Sequence, residues 1–494
     1  MAQCLAVHVE SHSGHRAIGG KDNDMMGLAA AAVSGLLYYL STNLGTYWPL
    51  AWLAPAPVLW YALGQAPGAR VVLVALVAFL AGEINLVPVY STVVPVPALV
   101  VALAVPAAAF ATVVLVTGRL GPFLPPATGV LLFPALWTAW EYVFSLVSPN
   151  GTFLSVAYSQ VPFPALIQMA GVAGMAAITF LVSLVPSGLA LALKMRPFRP
   201  SYILFPAFVL IAALGFGIAS LLRVDNTPEA RVGLIAKNSN RRGYGTDERS
   251  VAVDVAAAYA RAVDSMAPQG AEMVLLPEAC VTLHPEWAAD VRGLFAGVAS
   301  RNHLRMVIGF DEYLADGTHR NVAEVISQSG TYAGRYVKQR HLPGQDYQAG
   351  KEILVLPGGA GVSICKDLDF PSLGRRYSIA GTGLMMVPAW DFGKDARLHA
   401  QMAWLRGVEG GYSVVRCAEE GLLSVTDSKG IPVAITESRG ESEVLLAASV
   451  RLGPGNTIYA RTGEIFAIAC VLASAAMAGF AVLRRRRRER KQYC

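Results

Sequence analysis

Apolar residues run for about 20 positions at a time, the length a helix needs to cross hydrocarbon, through the first 222 residues and once more near the C-terminus. Inside a bilayer every backbone N–H and C=O must be bonded within its own segment, so such runs predict transmembrane helices. Eight runs qualify: 25–43, 47–64, 70–90, 94–117, 128–148, 165–193, 201–222 and 465–483. The pattern changes between 223 and 462, where short apolar runs alternate with polar stretches. Val232–Ile235, Met273–Leu276, Met306–Phe310, Val322–Ser327, Gly361–Cys365 and Leu384–Val387 suit buried strands. Thr246 with Asp247 and Glu248 predicts the start of a helix to about Ser265, and Glu286–Arg301 and Asp395–Gly410 carry helical periodicity. The chain therefore divides into a tail (1–24), a seven-helix bundle (25–222), an α/β domain (223–462), a final membrane helix (463–483) and a basic tail (484–494).

Charge orients this arrangement. The loops after the second, fourth and sixth runs carry Arg70, Arg119 and the Lys194, Arg196, Arg199 group, and the loops after the first, third and fifth carry no Lys or Arg. Because short cytoplasmic loops hold the basic residues, the N-terminus is expected inside and the 223–462 domain outside. The net charge of +6 owes much to Arg484–Arg488, Arg490 and Lys491. Such a terminal cluster reads as a topological anchor and not as a nucleic-acid surface.

Three features of the outer domain carry chemistry. Met273–Leu276 runs into Pro277-Glu278, which sets a carboxylate at the end of a buried strand, where open α/β sheets hold ligands. Glu278 is the candidate base; taken alone it could equally cap the next helix or pair with an Arg. Gly361–Ile364 runs into Cys365, followed by Lys366 and Asp367. A thiol there can be a reactive nucleophile or simply a small buried side chain. Lys338 opens a Gly/Pro-containing loop with Asp346 on it; it can steady an oxyanion or be a solvated surface lysine. Cys280 and Cys417 read as buried small side chains. The six cysteines show no zinc spacing, and no Gly-rich phosphate loop stands between a strand and a helix, so no metal and no cofactor is expected. Asn150-Gly151-Thr152 matches a glycosylation sequon, a weak signal by itself.

Taken together, LLPEA around Glu278, YVKQRHLPG around Lys338, ICKDLDFP around Cys365 and the VPAWD segment containing Trp390 resemble the carbon-nitrogen hydrolase, or nitrilase, superfamily. Seven apolar spans before such a domain and one after it resemble the apolipoprotein N-acyltransferases. The resemblance implies an α-β-β-α sandwich outside a bacterial inner membrane, on its periplasmic side. It implies a Cys365 nucleophile, a Glu278 base and a Lys338 oxyanion donor, supported by Asp346, Lys366, Asp367 and Trp390. A phospholipid would donate an acyl chain through a thioester to the amine of a diacylglyceryl-cysteine lipoprotein. The sequence departs from the family in having Lys366 and Asp367 after the nucleophile where Tyr and Glu are usual. Asp346 stands in place of a loop Glu, Ala236-Lys237-Asn238 in place of Gln-Gly-Asn, and no Trp falls between Ser239 and Ser250. These departures keep open a membrane-anchored amidase, in which water attacks the thioester of a small amide. A non-enzymatic transporter or receptor is the third reading.

Overall fold

The computed structural model describes residues 7–66, 68–237 and 244–493, with side chains from Asp22 to Arg490, so Asn238 and residues 239–243 of the Ser239–Ser250 stretch lie outside the described residues. The chain forms two compact units, one comprising residues 1–140, 179–212 and 468–494 and the other residues 141–178 and 213–467.

The first unit is helical. Among the described residues seven helices are long and apolar enough to cross a membrane: Asp22–Ser41, Ala69–Tyr90, Val96–Phe123, Pro126–Val147, Met175–Lys194, Ser201–Leu222 and Ile465–Arg490. The expected count of eight is therefore approximate. The run at 47–64 is not one helix but a 3-10 turn, Trp48–Trp52, followed by the short helix Ala56–Leu63. Pro49, Pro55 and Pro57 explain the break, since proline lacks the N–H a continuous helix needs. The run at 165–193 likewise contributes only Met175–Lys194 as a long helix, preceded by two four-residue turns and by Gly174 at φ +69°. At the N-terminus the first helix extends back to Val7, through the region expected as a tail.

The broken segment still traverses the bundle. At one end the Tyr47 N–H bonds to the Leu40 carbonyl at 2.9 Å, and Asn85 Nδ2 bonds to the carbonyls of Tyr39 and Thr42. At the other, Gln65 donates to Asn23 at 3.2 Å and Arg70 lies 3.6 Å from Asp24. Helices 22–41 and 69–83 are thus parallel, and residues 47–64 are the return stroke between them. Gly35 and Gly82 let these parallel helices approach: a Cβ on Gly35 would lie 2.8 Å from the Ala81 Cβ. The Gln65 end also gathers the basic residues. Lys194 sits over the Trp60 ring at 4.5 Å, Leu63 packs with Leu191 and Tyr202, and Arg484 donates to the Phe123 carbonyl.

The second unit contains an α/β domain of two sheets. Strands β1 (Glu229–Ala236), β2 (Met273–Leu275), β3 (Val281–Leu283), β4 (Arg305–Tyr313), β5 (His319–Ile326) and β6 (Tyr332–Val337) form one sheet with β13 (Val444–Arg451), in the order β13-β1-β2-β4-β5-β6 with β3 on β4. The other sheet contains β7 (Leu354–Leu356), β8 (Ala360–Val362), β9 (Leu384–Trp390), β10 (Ser413–Glu419), β11 (Leu422–Thr426) and β12 (Pro432–Glu437), ordered β12-β11-β10-β9-β8-β7.

Side-chain alternation divides two apolar layers, as a period of two requires. Val232, Leu234, Leu275 and Val307 face the second sheet and meet Val362, Met385, Val414 and Leu423. Ile235, Val274, Met306 and Ile308 face the other way, onto helices Arg249–Met266 and Ala288–Asn302. Helices Pro371–Ile379 and Ala396–Gly410 pack with the second sheet. The result is the α-β-β-α sandwich. Strands β1, β2 and β4 are mutually parallel, as are β8, β9 and β10, so their carboxyl ends offer a ligand crevice.

Candidate active site

Glu278 follows β2 by three residues and is buried. It is held from below by β4, where Gly309 has no side chain: a Cβ there would lie 2.7 Å from the Glu278 Cα. Ala279, the next residue, takes φ +47°, a conformation costing roughly 1–3 kcal/mol that persists only where surroundings enforce it. The Glu278 carboxylate accepts from Lys338 Nζ at 2.5 Å and from Asn321 Nδ2 at 2.7 Å, both on Oε1.

Lys338 leaves the end of β6 and is itself buried, its backbone N–H bonded to the Asn321 carbonyl at 2.9 Å. Burial works against its charge, but Glu278, with Cys365 and Asp367 behind it, outweighs that and holds the ammonium above its usual range. The structure therefore excludes the solvated-surface reading of Lys338 and joins two of the three expected groups in one buried ion pair.

Cys365 begins the 3-10 turn Cys365–Asp369 just after β8 and adopts φ +42°. Its S–H faces the Trp390 carbonyl at 3.5 Å. Burial pushes the thiol up to about 12, with Glu278 adding to the shift and Lys338 and Arg416 opposing it. The resting sulfur is thus a protonated thiol that needs a base, and the two charges that act on it most strongly are those of the ion pair. The Lys366 N–H lies in the first turn of this helix, where backbone donors lack intrahelical partners.

The supporting residues divide. Asp367 is wholly buried and clamps the Cys365 turn to the Lys338 loop: Oδ1 accepts from the backbone N–H groups of Gln339 (3.1 Å) and Arg340 (2.8 Å), and Oδ2 from the Tyr336 hydroxyl (2.7 Å) and the Ile364 N–H (3.4 Å). Burial raises its carboxyl to about 6, against the pull of Lys338 and these donors. Asp346 is exposed, and the carboxylate paired with Lys338 is Glu278; the structure does not bring Asp346 to the ammonium. The side chain of Lys366 turns away from the sulfur to Asn150, 2.6 Å from its Oδ1, which also engages that sequon in an internal contact. Trp390 stands edge-on to Tyr244, with ring centroids 4.8 Å apart. Tyr244 thus places an aromatic ring in the stretch where no Trp was found. Cys280 and Cys417 are buried thiols facing the Gly309 and Ile235 carbonyls.

Two further residues, Asn321 and Arg416, were not singled out from the sequence, and Asp391 entered only within the VPAWD segment. Asn321 fixes Glu278, while Arg416 and Asp391 form a buried bidentate pair at 2.5 and 2.8 Å. The Arg416 charge also acts on Cys365, opposing the rise of its thiol. A charge inside the otherwise apolar run Ser413–Ala418 is the signal that could have found it.

Residues 34–186 match the family described as the apolipoprotein N-acyltransferase N-terminal domain, and residues 240–451 match the carbon-nitrogen hydrolase family. The apolipoprotein N-acyltransferase of Geobacter metallireducens is 26% identical over 72% of this chain and 75% of its own. That of Shewanella oneidensis is 23% identical over 68% and 70%. A carbon-nitrogen hydrolase structure from Helicobacter pylori aligns with 45% of this chain and 89% of its own, at 15% identity and a TM-score of 0.39. A membrane-domain match thus stands ahead of a carbon-nitrogen hydrolase match, and over about 70% of its length the chain is similar to the apolipoprotein N-acyltransferases.

Proposed function

We propose that this protein is a multi-pass membrane acyltransferase that moves a fatty acyl chain from a phospholipid to the N-terminal amine of a diacylglyceryl-cysteine lipoprotein, through a thioester on Cys365. The observation that carries this reading is the buried Glu278–Lys338 pair acting on a strained, protonated thiol. The relatives' shared name supplies the reaction class.

Glu278 takes the thiol proton as the sulfur attacks the ester carbonyl carbon. The tetrahedral oxyanion meets the Lys338 ammonium and the Lys366 N–H, each donor worth about 3 kcal/mol in sites of this kind. Collapse breaks the ester C–O bond, and the leaving alkoxide takes the proton from Glu278 to depart as lysophospholipid. The acceptor amine then attacks the thioester, gives its proton to Glu278 and leaves as amide, and the thiol is restored. Trp390 and Tyr244 wall the site, and Asp367 supports it by fixing the nucleophile turn to the Lys338 loop.

The basic end of the bundle supports a cytoplasmic placement of Arg70, Lys194 and Arg484 at the inner membrane. The segment 223–464 follows the opposite end of helix 201–222 and precedes the opposite end of helix 465–490, which supports a periplasmic placement. A lipid donor and a lipid-anchored acceptor both reach such a site by diffusion in the membrane plane.

The test is to supply purified protein with phospholipid carrying a labelled acyl chain and a synthetic diacylglyceryl-cysteine peptide. Label is expected in an amide on the peptide. Label released only as free fatty acid, with or without the peptide, would support hydrolysis and overturn acyl transfer.

A further inference from the structure

The turn that carries the nucleophile is held from a side that the acyl-transfer chemistry does not itself require. Cys365 has φ +42°, and a non-glycine residue stays in that region only when its neighbours enforce it. Asp367 secures the turn to the Lys338 loop, as described above. A second set of contacts reaches it from residues 150–152, in the segment that follows helix Pro126–Val147 and precedes helix Met175–Lys194.

These contacts grip both ends of the turn. Asn150 Oδ1 accepts from Lys366 Nζ at 2.6 Å, immediately after the nucleophile. At the turn's last residue, the Asp369 carbonyl accepts from the Thr152 hydroxyl at 2.7 Å and from the Thr152 N–H at 3.1 Å. Gly151, between them, has φ +55°, and a Cβ there would lie 2.5 Å from the same carbonyl oxygen. Only glycine allows so close an approach with so little strain. Thr152 is backed in turn by Tyr158, hydroxyl to hydroxyl at 2.5 Å, and Tyr158 by Arg406 at 3.4 Å. Lys366 is buried, and burial lowers its pKa, so an uncapped ammonium at this place would be costly; Asn150 supplies its hydrogen bond.

We propose that Asn150 and Thr152 are positioning residues for acyl transfer, which hold the Cys365–Asp369 turn so that the Lys366 N–H points at the tetrahedral oxyanion. The inference rests on the acyl-transfer reading and extends it. Lys366, with its side chain tied down to Asn150, serves the site through its backbone, and the segment joining two membrane helices becomes part of the catalytic scaffold. Asn150 is then a structural partner of the site and not a modification point.

Two chemistries on the same sulfur separate this role from general stability. Alkylation of Cys365 by iodoacetamide builds no oxyanion, whereas acylation by phospholipid does. In the full-length protein, Asn150→Leu and Thr152→Val are expected to slow acyl-enzyme formation by about tenfold to a hundredfold, the scale of a small misplacement of a catalytic group. They should leave the alkylation rate and its pH profile within about twofold. Asn150→Asp and Thr152→Ser, which keep the acceptor and the hydroxyl, should restore most of the acylation rate. Equal losses in alkylation and acylation, or no loss in either, would overturn the inference. Failure of the wild-type protein to form any acyl adduct on Cys365 would instead overturn the underlying acyl-transfer reading.

Discussion

Each functional side chain is set by a local conflict that its neighbours resolve. Cys365 carries a thiol pushed up to about 12 by burial, so its thiolate is scarce at neutral pH and the base must act during attack. The rate of its reaction with iodoacetamide is therefore expected to keep rising beyond pH 10 without a plateau. Arg416, which opposes the shift, should when replaced by Met make that reaction slower at every pH. Lys338→Met removes the proposed oxyanion donor, and the rate of acyl-enzyme formation should fall about 10²- to 10³-fold, measured by single-turnover labelling. Asp367 gives four donors two oxygens; Asn offers one, so Asp367→Asn leaves donors unpaired at about 1–3 kcal/mol each and should lower the melting temperature. Its sign with pH is fixed as well. The folded-state carboxyl lies near 6, above its usual 3.8, so its contribution to stability is full below 3.8 and lost as pH rises through about 6. The wild type should accordingly gain on Asp367→Asn as pH falls from 7 to 4.

At the scale of elements, the ends of parallel strands do the placing. β2 delivers Glu278, β8 delivers Cys365 and β9 delivers Trp390, while Lys338 leaves the antiparallel β6. Gly309 of β4 underlies the Glu278 turn, so Gly309→Ala should cost both stability and activity, read as a lower melting temperature together with slower acyl-enzyme formation. The strands ending at Glu278 and Cys365 were legible because they are short apolar runs that stop at a polar residue. Others were not. β10 hides a buried Arg416 in its middle, which breaks the apolar pattern, and β12 is half exposed along its length, so neither reads as a buried strand. The three proposed reacting groups were legible as a joint motif, whereas Asn321, Arg416, Asn150 and Thr152 were not. They act through contacts across 25 to 217 positions of chain, and no local spacing encodes such a pairing. Asp346 misled for the opposite reason: it is near Lys338 in sequence but exposed on the loop, while the carboxylate that meets the ammonium comes from β2.

The whole molecule is organised around one polarity. Its basic loops gather at a single end of the bundle, even though residues 47–64 return as a broken segment and not as the continuous helix their apolarity suggested. Three prolines account for that difference. Sidedness can be measured directly: in right-side-out vesicles a membrane-impermeant maleimide should label Asp316→Cys, in an exposed turn of the α/β domain, and spare Arg488→Cys until the membrane is opened. The reverse pattern would invert the topology.

The central claim is that Cys365 carries the acyl chain. Full-length protein should be incubated with a phospholipid of defined acyl composition, without acceptor, and the adduct located by peptide mass spectrometry. One acyl group on the Cys365 peptide, changing in mass with the donor chain, released by hydroxylamine and absent from Cys365→Ser, is the predicted result. An adduct on another residue, or acyl transfer at undiminished rate by Cys365→Ser, would contradict the account.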